Sequence, residues 1–285
     1  MKIDYQWRDY EVIATGDGMK LERWDKYVLL RPDPQIIWPA KTNLRKYPGL
    51  DAIYERSSTG GGAWNMLHDI PSDFTVSWKD YTFSLKLMGF KHTGLFPEQA
   101  VNWERMTQLI EGAGRPISVL NLFAYTGGAT VACTGAGATV CHVDAAKAMV
   151  DRAKENLSLS GLRDRPVRFI VDDCVAFCQR ELRRGHKYDA ILMDPPSYGR
   201  GPKGETWKIE TSLYPLVELA SQLLSDDPLF FLINSYTTGL QPSVMSNILA
   251  SVLGDRAEVE AYEVGLPTDE SGIVLPCGAS AIATF

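Results

Sequence analysis

The chain of 285 residues lacks several features that mark whole classes of protein. None of its apolar runs approaches the ~20 residues of a membrane-spanning helix. Its N-terminus, MKIDYQWRDYEVIATGDG, carries acids and aromatics where a secretory signal needs an apolar stretch. Internal repeats and low-complexity tracts are also missing. We therefore expect a globular protein of the cytoplasm, with no membrane partner.

Cysteine and histidine are scarce, with five and four residues respectively. An odd cysteine count without a secretory signal argues against a disulfide framework. Cys174 and Cys178 have a spacing that could suit a metal on a helix, but no second Cys or His pair has the spacing of zinc ligands. We therefore predict reduced, buried thiols and no bound metal.

An excess of positive charge is missing too, because the net charge is −6 and the isoelectric point is near 5.3. Bulk attraction to a polyanion is therefore not the main interaction of this protein. One local basic cluster, Arg200, Lys203 and Lys208, stands beside the motif around Asp194. The charge disfavours a protein that only binds nucleic acid, but it allows an enzyme with a basic entrance.

The hydrophobic pattern changes near residue 88. Before it, short runs such as YEVIATG, KYVLLRP and FTVSWKDYTFSLKL predict strands, the last of them a hairpin that turns near Lys79 and Asp80. After it, apolar runs such as ISVLNLF, ATVCHVD, VRFIV, YDAILMD and LFFLINS alternate with helical patterns. This alternation predicts a parallel sheet covered on both faces. We expect a small β-rich N-terminal domain over residues 1–88 and a doubly wound, mostly parallel α/β domain over residues 89–285.

Three consecutive strands lead into residues that could bind a ligand. The first is followed by NLFAYTGGAT, whose glycine pair allows close approach of the backbone. The second ends in Asp144, where an acid can accept both hydroxyls of an adenosine ribose. After the third, Asp172 or Asp173 could accept the exocyclic amine of adenine, and the sequence does not decide between them. A lone acid at such a place is usually a helix cap, but the succession favours a ligand.

The fourth strand runs into DPPSYGRGPKGETWK. Pro195 and Pro196 fix φ, and the residue before a proline is excluded from the helical region. Asp194 is therefore expected to be held at the carboxyl edge of the sheet, where open α/β sheets bind ligands. We predict that Asp194 and the Pro195 carbonyl act on the substrate. The predicted substrate-binding side chains are those of Tyr198, Arg200 and Trp207, although the two aromatics could equally be packing residues.

Two common nucleotide motifs are absent. The P-loop pattern G-x-x-x-x-G-K-[ST] does not occur, and GPKGET follows the wrong strand. The dinucleotide pattern G-x-G-x-x-G does not follow the first strand, and GAGATV falls at the end of the next helix. An adenosine ligand without phosphates needs neither motif. S-adenosylmethionine is such a ligand, and its methyl group would then lie near Asp194.

With these motifs the sequence resembles the class I S-adenosylmethionine-dependent methyltransferases, in particular the branch of bacterial large-subunit ribosomal RNA methyltransferases. The segments that carry the likeness are KHTGLFPEQAVNW, VLNLFAYTGGAT, CHVDAAKAMVDRAKENLSLSGL and ILMDPPSYGRG. The resemblance implies a Rossmann-like seven-stranded sheet whose last strand is antiparallel. It also implies a flap of Thr93, Gly94 and Phe96 over the cofactor. The other cofactor contacts that it implies are Asn121, Phe123, Ala124, Tyr125, Thr126, Gly127, Asp144, Ala145 and Asp173.

The resemblance implies methyl transfer to a nucleobase of ribosomal RNA, with S-adenosylhomocysteine as product. The N-terminal segment differs from the RNA-binding module of some relatives, so a small-molecule or protein acceptor stays open. The motifs NSYTTG and DPPS lack the cysteine that attacks cytosine C5, which argues against that chemistry. A nicotinamide-dependent oxidoreductase and a non-catalytic RNA-binding module are the further alternatives. The sequence indicates neither the methylated atom nor the oligomeric state.

Overall fold

A computed structural model of the chain describes residues 1–57, 61–89, 91–200, 206–270 and 272–285, with the side chain of Arg200 left out. The chain forms two compact units. One contains Met1–Ala100 and Gly265–Cys277, and the other contains Val101–Val264 and Gly278–Phe285. The division into domains at residue 88 stays a prediction. Over the described ranges, no helix has the length and hydrophobicity to cross a membrane.

The first unit is rich in β-structure, as predicted. Its strands are β1 (Lys2–Ile3), β2 (Tyr10–Gly16), β3 (Met19–Trp24), β4 (Tyr27–Pro32), β5 (Leu50–Arg56), β6 (Gly62–Met66), β7 (Phe74–Trp78) and β8 (Tyr81–Leu85). Strands β2 to β6 form one sheet in chain order, antiparallel except for β4 beside β5. Strands β7 and β8 form the expected hairpin, which turns at Lys79 with φ of 52°.

The second unit alternates strands and helices in the predicted order. Its helices are α1 (Ala100–Gly112), α2 (Gly128–Gly135), α3 (Lys147–Leu159), α4 (Cys174–Arg184), α5 (Ile209–Ser221) and α6 (Pro242–Leu253). Its strands are β9 (Ser118–Leu122), β10 (Thr139–Asp144), β11 (Val167–Val171), β12 (Ala190–Met193), β13 (Tyr198–Arg200), β14 (Thr206–Lys208) and β15 (Phe230–Ser235), together with the larger parts of β16 (Glu258–Pro267) and β17 (Val274–Thr284).

The main sheet has eight strands, in the order β11-β10-β9-β12-β15-β17-β16-β1, one more than the seven that were expected, because the two-residue strand β1 adds to its edge. The five strands from β11 to β15 are parallel, and β17 runs antiparallel to β15. Both the doubly wound sheet and its antiparallel last strand are therefore confirmed. The apolar core packs the central strands against α4, α5 and α6. Since these strands are buried on both faces, their sequences are nearly continuous apolar runs.

Candidate active site

The strand registers bring the ends of four central strands to one level. Leu122 pairs with Val143 and with Met193, and Met193 pairs with Ile233. The next residue of each strand therefore lies at the carboxyl edge of the sheet, in a row formed by Asp144, Phe123, Asp194 and Asn234. This edge is the place where open α/β sheets bind ligands. The registers thus bring together Asp144 and Asp194, the two acids that the sequence singled out.

The loop from Phe123 to Gly127 adopts a compact, left-handed conformation. Phe123 and Tyr125 have φ of 53° and 50°, and Gly127 has φ of 83°. Left-handed backbone costs roughly 1–2 kcal/mol at a residue other than glycine, so the loop has to be held by its surroundings. The Ala124 N–H donates to the Val143 carbonyl at 3.0 Å, and the Tyr125 N–H donates to Asp144 Oδ2 at 2.8 Å.

The two glycines of this loop have a packing role. A Cβ at Gly127 would lie 2.8 Å from the Cβ of Ala153, and a Cβ at Gly128 would lie 2.5 Å from the Trp103 ring. The sequence explained the pair by the approach of a ligand. In the structure, α3 and the indole of α1 take up the space beside the glycines.

Asp144 joins the loop to the following helix. Its Oδ2 accepts the Tyr125 N–H, and its Oδ1 accepts the Ala146 N–H at 2.8 Å. Burial raises the pKa of the Asp144 carboxyl, although these two hydrogen bonds act in the opposite direction. A carboxylate has about four acceptor positions, so these bonds leave capacity for two hydroxyls. The neighbouring Ala145 is exposed.

The two acids after β11 differ in their partners. Asp173 caps α4, because its Oδ1 accepts the Ala176 N–H at 2.8 Å. Asp172 forms an ion pair with Arg180 and accepts the N–H of Asp173 at 2.9 Å. Asp173 thus has the ordinary role of an acid before a helix, which is to cap the helix N-terminus. The adenine contact predicted for Asp173 stays a prediction.

Asn121 lies on β9, two residues before the edge residue Phe123, and is buried. Its Nδ2 donates to Thr130 Oγ1 at 3.0 Å, and that hydroxyl lies 2.9 Å from His142 Nδ1. Burial and the Lys154 charge lower the pKa of His142 to about 3, so the imidazole is neutral. These contacts use the Asn121 amide to fix α2 on the sheet.

Asp194 is half-buried and is held from the neighbouring strand. Asn234, at the end of β15, donates its Nδ2 to Asp194 Oδ1 at 2.9 Å. Asn234 itself is 1% exposed. Because Asp194 and Asn234 follow a paired row of the sheet, their side chains meet without any loop between them.

The Asp-Pro-Pro corner is fastened at two further points. The Trp207 indole N–H donates to the Pro196 carbonyl at 2.6 Å, and the hydroxyls of Ser197 and Thr237 are 2.7 Å apart. Trp207 also packs against Phe123, with ring centroids 5.1 Å apart. The Trp207 indole therefore contacts both the Asp-Pro-Pro corner and Phe123 of the glycine loop.

The predicted substrate residues lie on a short hairpin after the corner. Strands β13 and β14 pair Tyr198 with Lys208, Gly199 with Trp207, and Arg200 with Thr206. Tyr198 is 54% exposed, whereas Trp207 is partly buried on the core. The Arg200 side chain and Lys203 lie outside the described part of the chain. The hairpin therefore offers one exposed aromatic, Tyr198, beside Lys208.

Thr93, Gly94 and Phe96, the residues of the predicted flap, belong to the first unit. Thr93 is fully buried, and no residue of the described ranges hydrogen-bonds its hydroxyl. Phe96 lies beside His92, with ring centroids 5.4 Å apart. Their role as a flap stays a prediction.

Two supporting residues are not among the residues that the sequence predicted for the site. Asn156 is fully buried and donates to the Thr126 carbonyl at 2.8 Å, which holds the glycine loop from α3. Its signal was its place on the apolar face of the helix, beside Ala153 and Leu157. Asn234 was also missed, and its signal was a polar residue inside the apolar run LFFLINS.

The cysteines are free, and four of the five are buried, as predicted. Burial raises the pKa of Cys133 to about 12 and that of Cys141 to about 11, so these thiols are protonated. Within the described ranges, no group of three or more His, Cys, Asp or Glu side chains could hold a metal ion.

The residues at this edge fit an adenosine cofactor. Asp144 provides a carboxylate with acceptor capacity for a ribose, and the loop beside it is fixed in place from β10 and α3. Next to them is Asp194, so a group bound on Asp144 and the loop would extend toward a second acid. The arrangement can therefore orient a ligand and an acceptor side by side.

Comparison with known proteins also indicates an adenosine-containing cofactor. Residues 63–240 match the family described as S-adenosylmethionine-dependent methyltransferase. A crystal structure of an S-adenosylmethionine-dependent methyltransferase from Agrobacterium tumefaciens is 33% identical, with a TM-score of 0.94, and the alignment covers 99% of this chain and 92% of that one.

Two curated relatives are ribosomal RNA methyltransferases. Ribosomal RNA large subunit methyltransferase K of Neisseria meningitidis is 25% identical over 237 residues, which are 77% of this chain and 64% of that protein. Methyltransferase K/L of Pseudoalteromonas atlantica is 35% identical over 144 residues, which are 50% of this chain and 19% of that protein. The chain therefore spans less than two thirds of the length of these relatives.

Proposed function

Because the chain belongs to the S-adenosylmethionine-dependent methyltransferase family, we propose that it methylates a nucleobase of ribosomal RNA. The protein is thus an enzyme with S-adenosylmethionine as cofactor. The RNA acceptor is supported by the names of the curated relatives from Neisseria and Pseudoalteromonas. We also infer that it acts in the cytoplasm, where its proposed substrate is located.

One observation carries the proposal: Asp194 lies in the same row as Asp144 and is held there by Asn234. When bound, the cofactor supplies a methyl group on an activated sulfonium leaving group. The protein then mainly has to align the acceptor atom and exclude water. Alignment of this kind can lower a barrier by ~7–11 kcal/mol in favourable cases.

The acceptor is oriented by the rigid corner. The Asp194 carboxylate and the Pro195 carbonyl accept hydrogen bonds from an acceptor N–H, which turns the nitrogen lone pair toward the methyl group. The ionised carboxylate can afterwards take up the proton that the acceptor loses. The neighbouring Pro196 carbonyl already accepts the Trp207 indole, so it braces the corner.

Cofactor contacts are assigned in the same proposal. The Asp144 carboxylate accepts the ribose hydroxyls, Asp173 accepts the adenine amine, and the backbone of Phe123–Gly127 with Ala145 surrounds the cofactor. Tyr198 is placed to stack on the extruded base, a contact worth ~1–3 kcal/mol. Trp207, which packs against Phe123, is assigned to the same substrate-binding hairpin. Arg200 and Lys208 would contact phosphates.

The test is transfer of a tritiated methyl group from S-adenosylmethionine into the RNA, protein and small-molecule fractions of a strain that lacks this enzyme. We expect label in ribosomal RNA with the wild type. We expect none with Asp194→Ala, whose affinity for S-adenosylhomocysteine should stay within a few-fold of wild type. Asp226→Ala, at an exposed position on the loop before β15, is the control and should keep full turnover.

Three results would change the assignment. Label confined to protein would show that the acceptor is a protein and not RNA. Label confined to small molecules would show that the acceptor is a small molecule. Full turnover by Asp194→Ala would remove Asp194 from the chemistry while leaving the family assignment intact.

A further inference from the structure

We propose that Tyr262, Asn102 and Ser280 position the Asp194 carboxylate through a buried chain of hydrogen bonds. The Tyr262 hydroxyl donates to Asn102 Oδ1 at 2.8 Å, and Asn102 Nδ2 donates to Ser280 Oγ at 3.0 Å. The Ser280 hydroxyl then donates to Asn234 Oδ1 at 2.8 Å, and Asn234 Nδ2 donates to Asp194 Oδ1 at 2.9 Å. The inference rests on the proposed role of Asp194 in methyl transfer.

All four hydrogen bonds point in the same direction, toward the carboxylate. Because an ionised carboxylate only accepts, Asn234 has to present its nitrogen to Asp194 and its oxygen to Ser280. The single hydroxyl hydrogen of Ser280 is thereby used, so Asn102 donates to Ser280 through its nitrogen and accepts from Tyr262 through its oxygen. The serine hydroxyl accepts from one side and donates to the other. Successive hydrogen bonds of this kind polarise one another, which strengthens the last bond in the chain. That last bond is the one to Asp194.

The chain of hydrogen bonds from Tyr262 to Asp194 runs through the interior of the second unit. Asn102, Asn234 and Ser280 are at most 1% exposed, and Tyr262 is 6% exposed. A buried polar group costs free energy unless it is hydrogen-bonded, and a fully satisfied network fixes one arrangement of its members. The three linked polar residues Asn102, Ser280 and Asn234 add nothing to hydrophobic packing. We infer that their role is to fix the orientation of the Asn234 amide toward Asp194.

The sheet makes this orientation rigid. Asn234 and Ser280 are register partners on β15 and β17, and Asn234 follows the row that pairs β15 with β12. Asn102 lies on α1, and Tyr262 lies on β16. Four elements of the unit therefore determine the position of one carboxylate. Since an error of about 1 Å at the reacting centre can cost about 100-fold in rate, such positioning matters for turnover.

The test uses Tyr262→Phe, which removes one hydroxyl far from the edge of the sheet. We expect kcat to fall about 3- to 10-fold, with the KM for S-adenosylmethionine unchanged, in methyl transfer to total RNA from the deficient strain. The matched control is Tyr188→Phe. Tyr188 is also buried, and its hydroxyl donates to the Glu181 carboxylate at 2.6 Å, away from this chain. The Tyr188→Phe substitution should lower the melting temperature of the protein but leave kcat unchanged.

A second variant tests the connection. Ser280→Ala interrupts the chain next to Asn234, so we expect a larger fall in kcat, about 10- to 100-fold. Adding Tyr262→Phe should lower kcat no further, because both changes break the same path. Ser118→Ala is the control for this substitution, since the hydroxyl of Ser118, the first residue of β9, donates to Asp189 and lies outside this hydrogen-bond chain.

A measurement without cofactor or RNA completes the test. In nuclear magnetic resonance spectra, the side-chain amide signals of Asn234 should move in Tyr262→Phe and stay in place in Tyr188→Phe. Wild-type kcat and unmoved Asn234 signals in Tyr262→Phe would overturn the inference, while an inactive Asp194→Ala would still support the proposed function. Full turnover by Asp194→Ala would instead refute the catalytic role on which the inference rests.

Discussion

At the scale of single residues, Asp144 combines two opposing influences. Burial raises the pKa of its carboxyl, whereas the N–H groups of Ala146 and Tyr125 lower it, and the net shift is upward. The ionised carboxylate has more acceptor capacity for the two hydroxyls of a ribose than the protonated acid. The proposed ribose contact therefore depends on a group that becomes protonated at a higher pH than an ordinary aspartate.

A pH prediction follows from this residue. The affinity for S-adenosylhomocysteine should fall as the pH is lowered through the raised pKa of Asp144, at a higher pH than for an ordinary aspartate. In Asp144→Asn the affinity should be lower by about 10-fold or more at neutral pH, and its dependence on pH should be weaker. Titration calorimetry over a series of pH values from neutral downward checks both, with Asp151→Asn, at an exposed position, as control. An unchanged affinity in Asp144→Asn would speak against the ribose contact.

The sequence predicted the acids of the site but not their supports. Asp144 and Asp194 follow apolar strands, so their place at the sheet edge could be derived from the pattern alone. The bond from Asn234 to Asp194 joins residues 40 positions apart, and that from Ser280 to Asn234 joins residues 46 apart. Such pairs depend on strand order and register, which a single sequence does not contain.

At the scale of elements, the glycine loop and α3 fit each other closely. Alanine at Gly127 would combine left-handed backbone, costing roughly 1–2 kcal/mol, with overpacking against Ala153, costing about 1–3 kcal/mol. The sequence indicated a turn here through the glycine pair. The contact with α3 could not be predicted, since it requires the helix packing.

We therefore predict that Gly127→Ala destabilises the protein by about 2–5 kcal/mol. Gly161→Ala is the matched control, because Gly161 also has positive φ, 71°, but nothing lies within 4 Å of an added Cβ. It should cost only the backbone strain, about 1–2 kcal/mol. Denaturant unfolding measures both changes. Equal losses would show that the packing against α3 contributes nothing.

Helix α4 is joined to its neighbouring strands by a buried carboxylate. Burial by itself would raise the pKa of Glu181, but hydrogen bonds from Tyr188, Arg168, His186 and Arg184 outweigh it and lower the pKa to about 2. A lowered pKa means that the ionised form stabilises the fold above the unfolded pKa of 4.5. This stability is lost as the pH falls from about 4.5 toward 2.

Glu181→Gln should remove this dependence. We expect the wild type to lose on the order of 2 kcal/mol of unfolding free energy from this group between pH 5 and pH 2, beyond the loss in the variant. Glu155→Gln, at an exposed position on α3, should behave like the wild type. Urea unfolding at several pH values measures the difference, and parallel curves for wild type and Glu181→Gln would refute the role of Glu181.

At the scale of the whole molecule, the net charge of −6 disfavours bulk attraction to the proposed RNA substrate. The basic residues beside the Asp194 motif, Arg200, Lys203 and Lys208, are three. Three neutralised phosphates on a single strand give a plot of log K against log salt with a slope of about −2, and this is the slope that we expect. A slope near −6 would show that further basic residues contact the RNA.

We propose that the cofactor lies on the carboxyl edge of the main sheet, between Asp144 and Asp194. A crystal structure of the complex with S-adenosylhomocysteine is the decisive measurement. We expect ribose hydroxyls within hydrogen-bond distance of the Asp144 carboxylate and a sulfur atom that faces Asp194. A nucleoside bound at another place, or a sulfur that points away from Asp194, would contradict it.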